Sequence, residues 1–134
     1  MKCVSINCKT ANEKNWFEEI ERIYSIKIRT DIKTFFELNS GGYPTKDIIL
    51  VDGEEYEVRV FLSLDKNDDN YYLERPLNFF LEKTKAKIIP IGIDSGDNYY
   101  CVNNETGKVY YWSAGENQYY CISNSLEEFI SKFE

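Results

Sequence analysis

The chain has 134 residues, 43% of them hydrophobic and 16% aromatic, enough apolar material to bury one substantial core and too much for a disordered segment. Sixteen basic residues against 23 acidic ones leave a net charge of −7, so a nucleic-acid-binding surface, which needs clustered Lys and Arg, is not expected. No apolar run is long enough to cross a membrane and the first residues lack the apolar core of a secretion signal, so the chain reads as cytoplasmic with no membrane partner.

Thr10 and Glu13 have the spacing of a capping box, and Trp16, Ile20, Ile23 and Tyr24 then recur at helical intervals. A second helix is predicted after Thr30, which can cap it, with Ile32, Phe35 and Phe36 as its buried stripe and Gly41-Gly42 as its stop. Two strands follow, Asp47 to Val51 and Tyr56 to Leu64, with Asp52-Gly53 between them as a hairpin turn. In the longer strand Tyr56, Val58, Val60, Leu62 and Leu64 share one face, and Glu57, Arg59, Phe61 and Ser63 the other. A polar loop from Asp65 to Asn70 leads to a third helix with Pro76 in its first turn and Leu73, Leu77, Phe80 and Leu81 on its apolar side.

The stretch from Ile88 to Trp112 reads as three short strands joined by the turns 94–97 and 104–107. Ile89, Ile91 and Ile93 are expected on one face, and the Tyr99-Tyr100 and Tyr110-Tyr111 pairs to divide between two. Gln118 to Ile122 makes one more strand. Ser125 and Glu128 cap a closing helix with Leu126, Phe129, Ile130 and Phe133 at i, i+3, i+4 and i+7. The expected fold is a single domain over residues 1–134, α+β, with a mainly antiparallel sheet flanked by about four helices.

Chemistry is hard to find in this sequence. There is no histidine, which removes the usual catalytic base and every Ser-His or Cys-His arrangement. Cys3, Cys8, Cys101 and Cys121 form no C-x-x-C pair and read as reduced thiols, with Cys101 and Cys121 buried in strands. Asp94 and Asp97 are the nearest thing to a carboxylate pair, but aspartates in a glycine-containing turn bond their own backbone. Asp65, Asn67 and Asp69 match positions one, three and five of a calcium loop. Asn70 then stands where Gly is needed and Pro76 where Glu is needed. No metal, cofactor or enzymatic activity is expected. The tyrosine-rich strands lack the cationic groove of a single-strand-binding platform, and outward aromatics such as Tyr99, Tyr110 and Trp112 fit better as anchors for a protein partner.

Four segments, in order, resemble the SUKH superfamily. They are the helix end Phe35 to Pro44 (FFELNSGGYP), the strand and turn Ile89 to Asn98 (IPIGIDSGDN), the strand Gly107 to Trp112 (GKVYYW) and the final helix Ser123 to Ile130 (SNSLEEFI). The resemblance implies a non-enzymatic binding role. Bacterial members are mostly immunity proteins that neutralise a cognate polymorphic toxin domain, often a nuclease, while fungal relatives are regulators of cell-wall assembly acting through protein contacts. An interaction scaffold with a cellular partner is therefore the alternative. A nuclease presents a basic cleft, and the acids expected to meet it are Glu54 and Glu55 at the hairpin tip, Asp65, Asp68 and Asp69 in the loop, and Asp94 and Asp97 in the turn.

Overall fold

The computed structural model describes residues 1–9 and 13–134. In chain order the elements are β1 (Ser5–Ile6), α1 (Glu13–Tyr24), α2 (Thr30–Asn39), β2 (Tyr43–Pro44), β3 (Ile48–Val51), β4 (Glu54–Glu57), β5 (Val60–Phe61), α3 (Glu74–Thr84), β6 (Ile88–Ile93), β7 (Tyr99–Asn103), β8 (Val109–Ser113), β9 (Gln118–Ser123) and α4 (Leu126–Ser131). The fold is α+β: a five-stranded antiparallel sheet in the order β5-β6-β7-β8-β9, with the pairs β1-β2 and β3-β4 beside it.

The capping box at Thr10 lies outside the described residues. The buried line of α1 runs through Phe17 and Ile20, not through Ile23, which is 52% exposed. Thr30 does not cap α2; it is the helix's first residue, and no side chain caps the preceding Arg29 position. Asp31 serves that end, accepting the Ile32 N–H at 2.9 Å and the Arg29 guanidinium at 3.1 Å. The stripe Ile32, Phe35 and Phe36 is fully buried, as predicted. At the far end Gly41 adopts φ +67°, and a Cβ there would come within 2.5 Å of Lys9, so glycine is required on both counts. Fully buried Asn39 accepts from the Val4 N–H at 3.0 Å and the Ser5 hydroxyl at 2.7 Å, which ties β1 to the end of α2.

The hairpin turn forms as read, with Asp52 and Gly53 both at positive φ. The expected long strand from Tyr56 to Leu64 does not. It breaks at Val58 and Arg59: β4 pairs with β3, whereas β5 pairs with β6 in the central sheet. Phe61 and Ser63, expected on the face opposite Val60 and Leu62, are fully buried like them, because the chain is covered on both faces there.

The three strands from Ile88 to Ser113 are consecutive antiparallel neighbours. A bulge between Pro90 and Gly92 sets Gly92 opposite Tyr100 and Ile93 opposite Tyr99. Ile93 thus points away from the face of Ile89, contrary to simple alternation. Ile89, Tyr100, Val102, Val109 and Ile122 pack with α2 and α4; Ile88, Cys101 and Trp112 pack with Phe80 of α3 on the other face. In α4 the Ser125 hydroxyl accepts the Glu128 N–H at 3.1 Å, and Leu126, Phe129, Ile130 and Phe133 are all buried. Phe133 reaches Phe61 of β5, ring centroids 5.7 Å apart, so the last residues close the core.

Candidate functional site

The β3-β4 hairpin carries an apolar strand with one face inside and one outside. Ile49 is fully buried, while its neighbours Ile48 and Leu50 are 44% and 63% exposed. The register sets Ile48 opposite Glu57 and Leu50 opposite Glu55, so each outward apolar side chain shares its face with a glutamate. Between residues 46 and 57 stand Asp47, Asp52, Glu54, Glu55 and Glu57, with Lys46 as the one base. Glu54 and Glu55 are exposed at the tip.

Hydrogen bonds tie this hairpin to the sheet, beside the edge-on packing of Tyr56 on Tyr111, ring centroids 5.4 Å apart. The Glu57 carboxylate accepts the Ser95 N–H at 2.8 Å and the Ser95 hydroxyl at 2.7 Å, and the buried Tyr100 hydroxyl donates to the Glu57 carbonyl at 2.6 Å. Through Ser95 the hairpin is joined to the turn holding Asp94 and Asp97. Those two acids have different lives. Asp94 is half-buried and accepts from Gly96 N–H and Asn98 N–H, both at 2.9 Å, and from the Tyr111 hydroxyl at 2.7 Å. Burial, and then the bond to Asp94, pushes the Tyr111 phenol well above its ordinary range. Asp94 is thus committed to shaping its turn, whereas Asp97 is exposed at φ +63°.

The remaining predicted residues gather elsewhere. Asp65 accepts the Asn67 N–H at 3.0 Å and Asp68 the Tyr71 N–H at 3.0 Å, so both carboxylates brace their loop, while Asp69 is exposed. Beside this loop lies a slot of about 390 Å³ lined by Leu62, Tyr72, Phe79, Tyr99 and Trp112. Trp112 is 8% exposed and Tyr99 half-buried, so neither is the outward anchor expected; Phe79 is the exposed ring, with the Lys83 ammonium 5.3 Å from its centroid. Among the described residues the Trp112 indole N–H and the Tyr119 hydroxyl meet no partner. Tyr110 is half-buried on β8, stacked edge-on against Tyr119.

Cys101 is buried, but Cys121, expected to be buried with it, is exposed, as are Cys3 and Cys8; all four thiols are free. Among the described residues no three of His, Cys, Asp and Glu stand close enough to share a metal ion, and no helix is long and apolar enough to cross a membrane. The residues that sequence reading missed are Ile48, Leu50 and Glu57. The run Ile48 to Val51 is apolar throughout, so alternation could not say which face turns outward; the acids of the partner strand were the available signal.

A solved structure of a protein from Pseudomonas syringae pv. tomato shares this fold, with a TM-score of 0.57 and 20% identity, over 92% of this chain and 82% of that one. The chain is 23% identical to the SPbeta prophage-derived uncharacterized protein YokK of Bacillus subtilis (strain 168), over 89% of this chain and 73% of that protein. The SMI1 / KNR4 family (SUKH-1) matches residues 12–132, which takes in all four helices, the hairpin and the central sheet. The chain belongs to the SMI1 / KNR4 family (SUKH-1), a family that includes toxin-immunity proteins.

Proposed function

We propose that this protein is an immunity protein that binds a cognate toxin domain and neutralises it in the cytoplasm of the producing cell, without catalysis of its own. The observation that carries this reading is the hairpin face. It sets solvent-exposed Leu50 and Ile48 directly across from glutamates, an apolar centre inside a charged margin, which is the anatomy of a protein interface. Family membership narrows the class of partner, and a prophage-derived relative fits a gene that travels with mobile, competitive functions. A net charge of −7 favours a basic toxin, and nucleases are basic where they meet their substrate.

The regulator reading, in which the partner is an ordinary cellular protein, differs in what lies beside the gene. The direct test is co-expression with the toxin domain encoded next to this chain. Restored growth together with a stoichiometric complex supports immunity. No rescue and no complex with that domain removes it. An Asp94→Ala, Asp97→Ala variant that still protects would also remove any role for those carboxylates as a catalytic pair.

A further inference from the structure

We propose that the outer face of the β3-β4 hairpin is a docking surface for a cationic protein partner, with Leu50 and Ile48 as its apolar anchors, Glu55 and Glu57 beside them on that face and exposed Glu54 at the adjoining tip. The identity of that partner as a toxin domain rests on the immunity reading; the place and chemistry of the contact rest on the hairpin itself.

Single exposed apolar residues are ordinary on protein surfaces. Leu50 and Ile48 are a pair: they sit two residues apart on one face of one strand, about 7 Å from each other along the chain, and among the described residues no third strand pairs with that hairpin. Leu50, at 63%, is the most exposed large hydrophobic side chain among the described residues. The hairpin stands as a two-stranded sheet outside the five-stranded one, so its outer face is not used in building the core. Ile49 does that work from the opposite face, fully buried.

Charge chooses the occupant. Five carboxylates and one amine lie between residues 46 and 57, and the Ser95–Glu57 contact brings the turn that carries exposed Asp97 against the hairpin. Such a field repels a phosphate backbone or an anionic membrane and attracts a surface rich in Lys and Arg. Leu50 and Ile48 would then enter an apolar depression between the partner's cations. Glu57 is already bonded to Ser95, and Tyr100 holds its carbonyl, so the face is presented with little left to order on binding. The slot at Phe79 is the competing surface, but Arg75 and Lys83 border it and weaken its appeal to a cation.

Two measurements on the full chain decide this. The first is affinity for the toxin domain encoded beside it, using Leu50→Asp, the pair Glu54→Lys with Glu55→Lys, and Phe79→Ala as the control at the slot. Both hairpin variants are expected to weaken binding by about tenfold or more, and the control to stay near wild type. The second is an amide chemical-shift titration with the peptide acetyl-Lys-Leu-Lys-Leu-Lys-amide and its glutamate counterpart. Shifts are expected across residues 47–57 and 94–98 with the lysine peptide, lost in the Glu54→Lys, Glu55→Lys variant and absent with the glutamate peptide. If the toxin domain binds and the hairpin variants bind it as well as wild type, the hairpin surface is overturned while immunity stands. If the toxin domain does not bind at all, immunity falls and the peptide map judges the surface: shifts confined to the hairpin and its adjoining turn uphold it, and scattered or missing shifts overturn it.

Discussion

Glu57 and Ser95 are 38 residues apart, yet the carboxylate of one receives both the amide and the hydroxyl of the other, at 2.8 and 2.7 Å. That pair joins the hairpin to the turn between β6 and β7, beside the Tyr100 bond and the packing of Tyr56 on Tyr111. An isolated two-stranded hairpin is marginal in water, so its order depends on such ties and on the burial of Ile49 beneath it. Glu57→Ala is expected to lower global stability by only about 1 kcal/mol, since the bonds are charge-assisted but solvent-accessible. The clearer effect is local: amide exchange of residues 48–57 should quicken while that of β7 and β8 stays slow. Equal protection of the hairpin in wild type and variant would show that Ile49, the Tyr56–Tyr111 packing and the Tyr100 bond hold it without the Ser95 tie.

The Tyr100 hydroxyl gives a sharper case on the same strand. It is buried and donates to the Glu57 carbonyl at 2.6 Å. Tyr100→Phe keeps the ring against Phe129 and Tyr111 but leaves that carbonyl without its donor. A loss of about 1–3 kcal/mol is expected, read as a lower denaturation midpoint with an unchanged denaturant slope.

High pH should find the same weakness collectively. Burial, aided by nearby Asp94, raises the Tyr100 phenol well beyond its ordinary range, and burial raises Tyr119 to about 12. A raised phenol pKa means that the folded state favours the protonated form. The stability this supplies is whole below the unfolded value of about 10 and is lost as pH climbs through the folded one. The melting temperature is expected to fall steeply between about pH 10 and 12, with tyrosinate absorbance at 295 nm rising in step with unfolding. Full ionisation of the tyrosines in a still-folded protein would contradict the packing described.

The thiols divide three to one. Cys3, Cys8 and Cys121 are exposed, and Cys101 is fully buried beside Ile88 and Trp112 with its thiol pKa pushed up by burial. A colourimetric disulfide reagent should titrate three thiols in the native protein and the fourth only after denaturation. A fourth native thiol reacting at a similar rate would mean that α3 does not seal that face of the sheet.

Truncation after Ser125 removes Leu126, Phe129, Ile130 and Phe133, each buried at 3% exposure or less. Fully burying such side chains is worth roughly 1.5–3 kcal/mol apiece, and the total is comparable with the whole stability of a domain this size. The shortened chain is expected to show no cooperative melting transition. A normal melt would mean that α4 is dispensable to the core.

What could be read from the chain and what could not have physical reasons. The α2 stripe and α4 were legible because Phe35 and Phe36 follow Ile32, and Phe129 and Ile130 follow Leu126, by three and four residues, next to a glycine stop or a serine cap. The bulge in β6 had a signal that alternation ignores: Pro90 has no N–H to donate, and Gly92 leaves room for Phe61, 3.4 Å from where its Cβ would be. The break at Val58 and Arg59 had none. No Gly or Pro marks it, and it arises only because β4 and β5 find different partners. At the candidate site the exposed acids Glu54, Glu55 and Asp97 were foreseeable from turn chemistry, whereas their grouping depends on the long-range Ser95 contact. Asp65 and Asp68 are spent on their own loop, and Asp94 on its turn as its glycine-containing setting implied.

That division decides which charges should govern association with a partner. Reversing Asp65 or Asp68 would loosen the loop they brace, so a slower binding rate there would not distinguish charge from structure. Glu54 and Glu55 are exposed and hold no backbone of their own, which makes them the clean test. Long-range attraction acts before contact and is screened over about 8 Å at physiological salt. The Glu54→Lys, Glu55→Lys pair should therefore slow association with the toxin domain at low salt by about tenfold or more, and the gap should narrow as salt rises. Leu50→Ala should do the reverse: it leaves the field intact and removes an anchor, so dissociation quickens while the association rate changes little. Rates taken by stopped flow at low and high ionic strength separate the two effects. If both variants alter only dissociation, independently of salt, the acids of the hairpin are short-range contacts and do not steer the encounter.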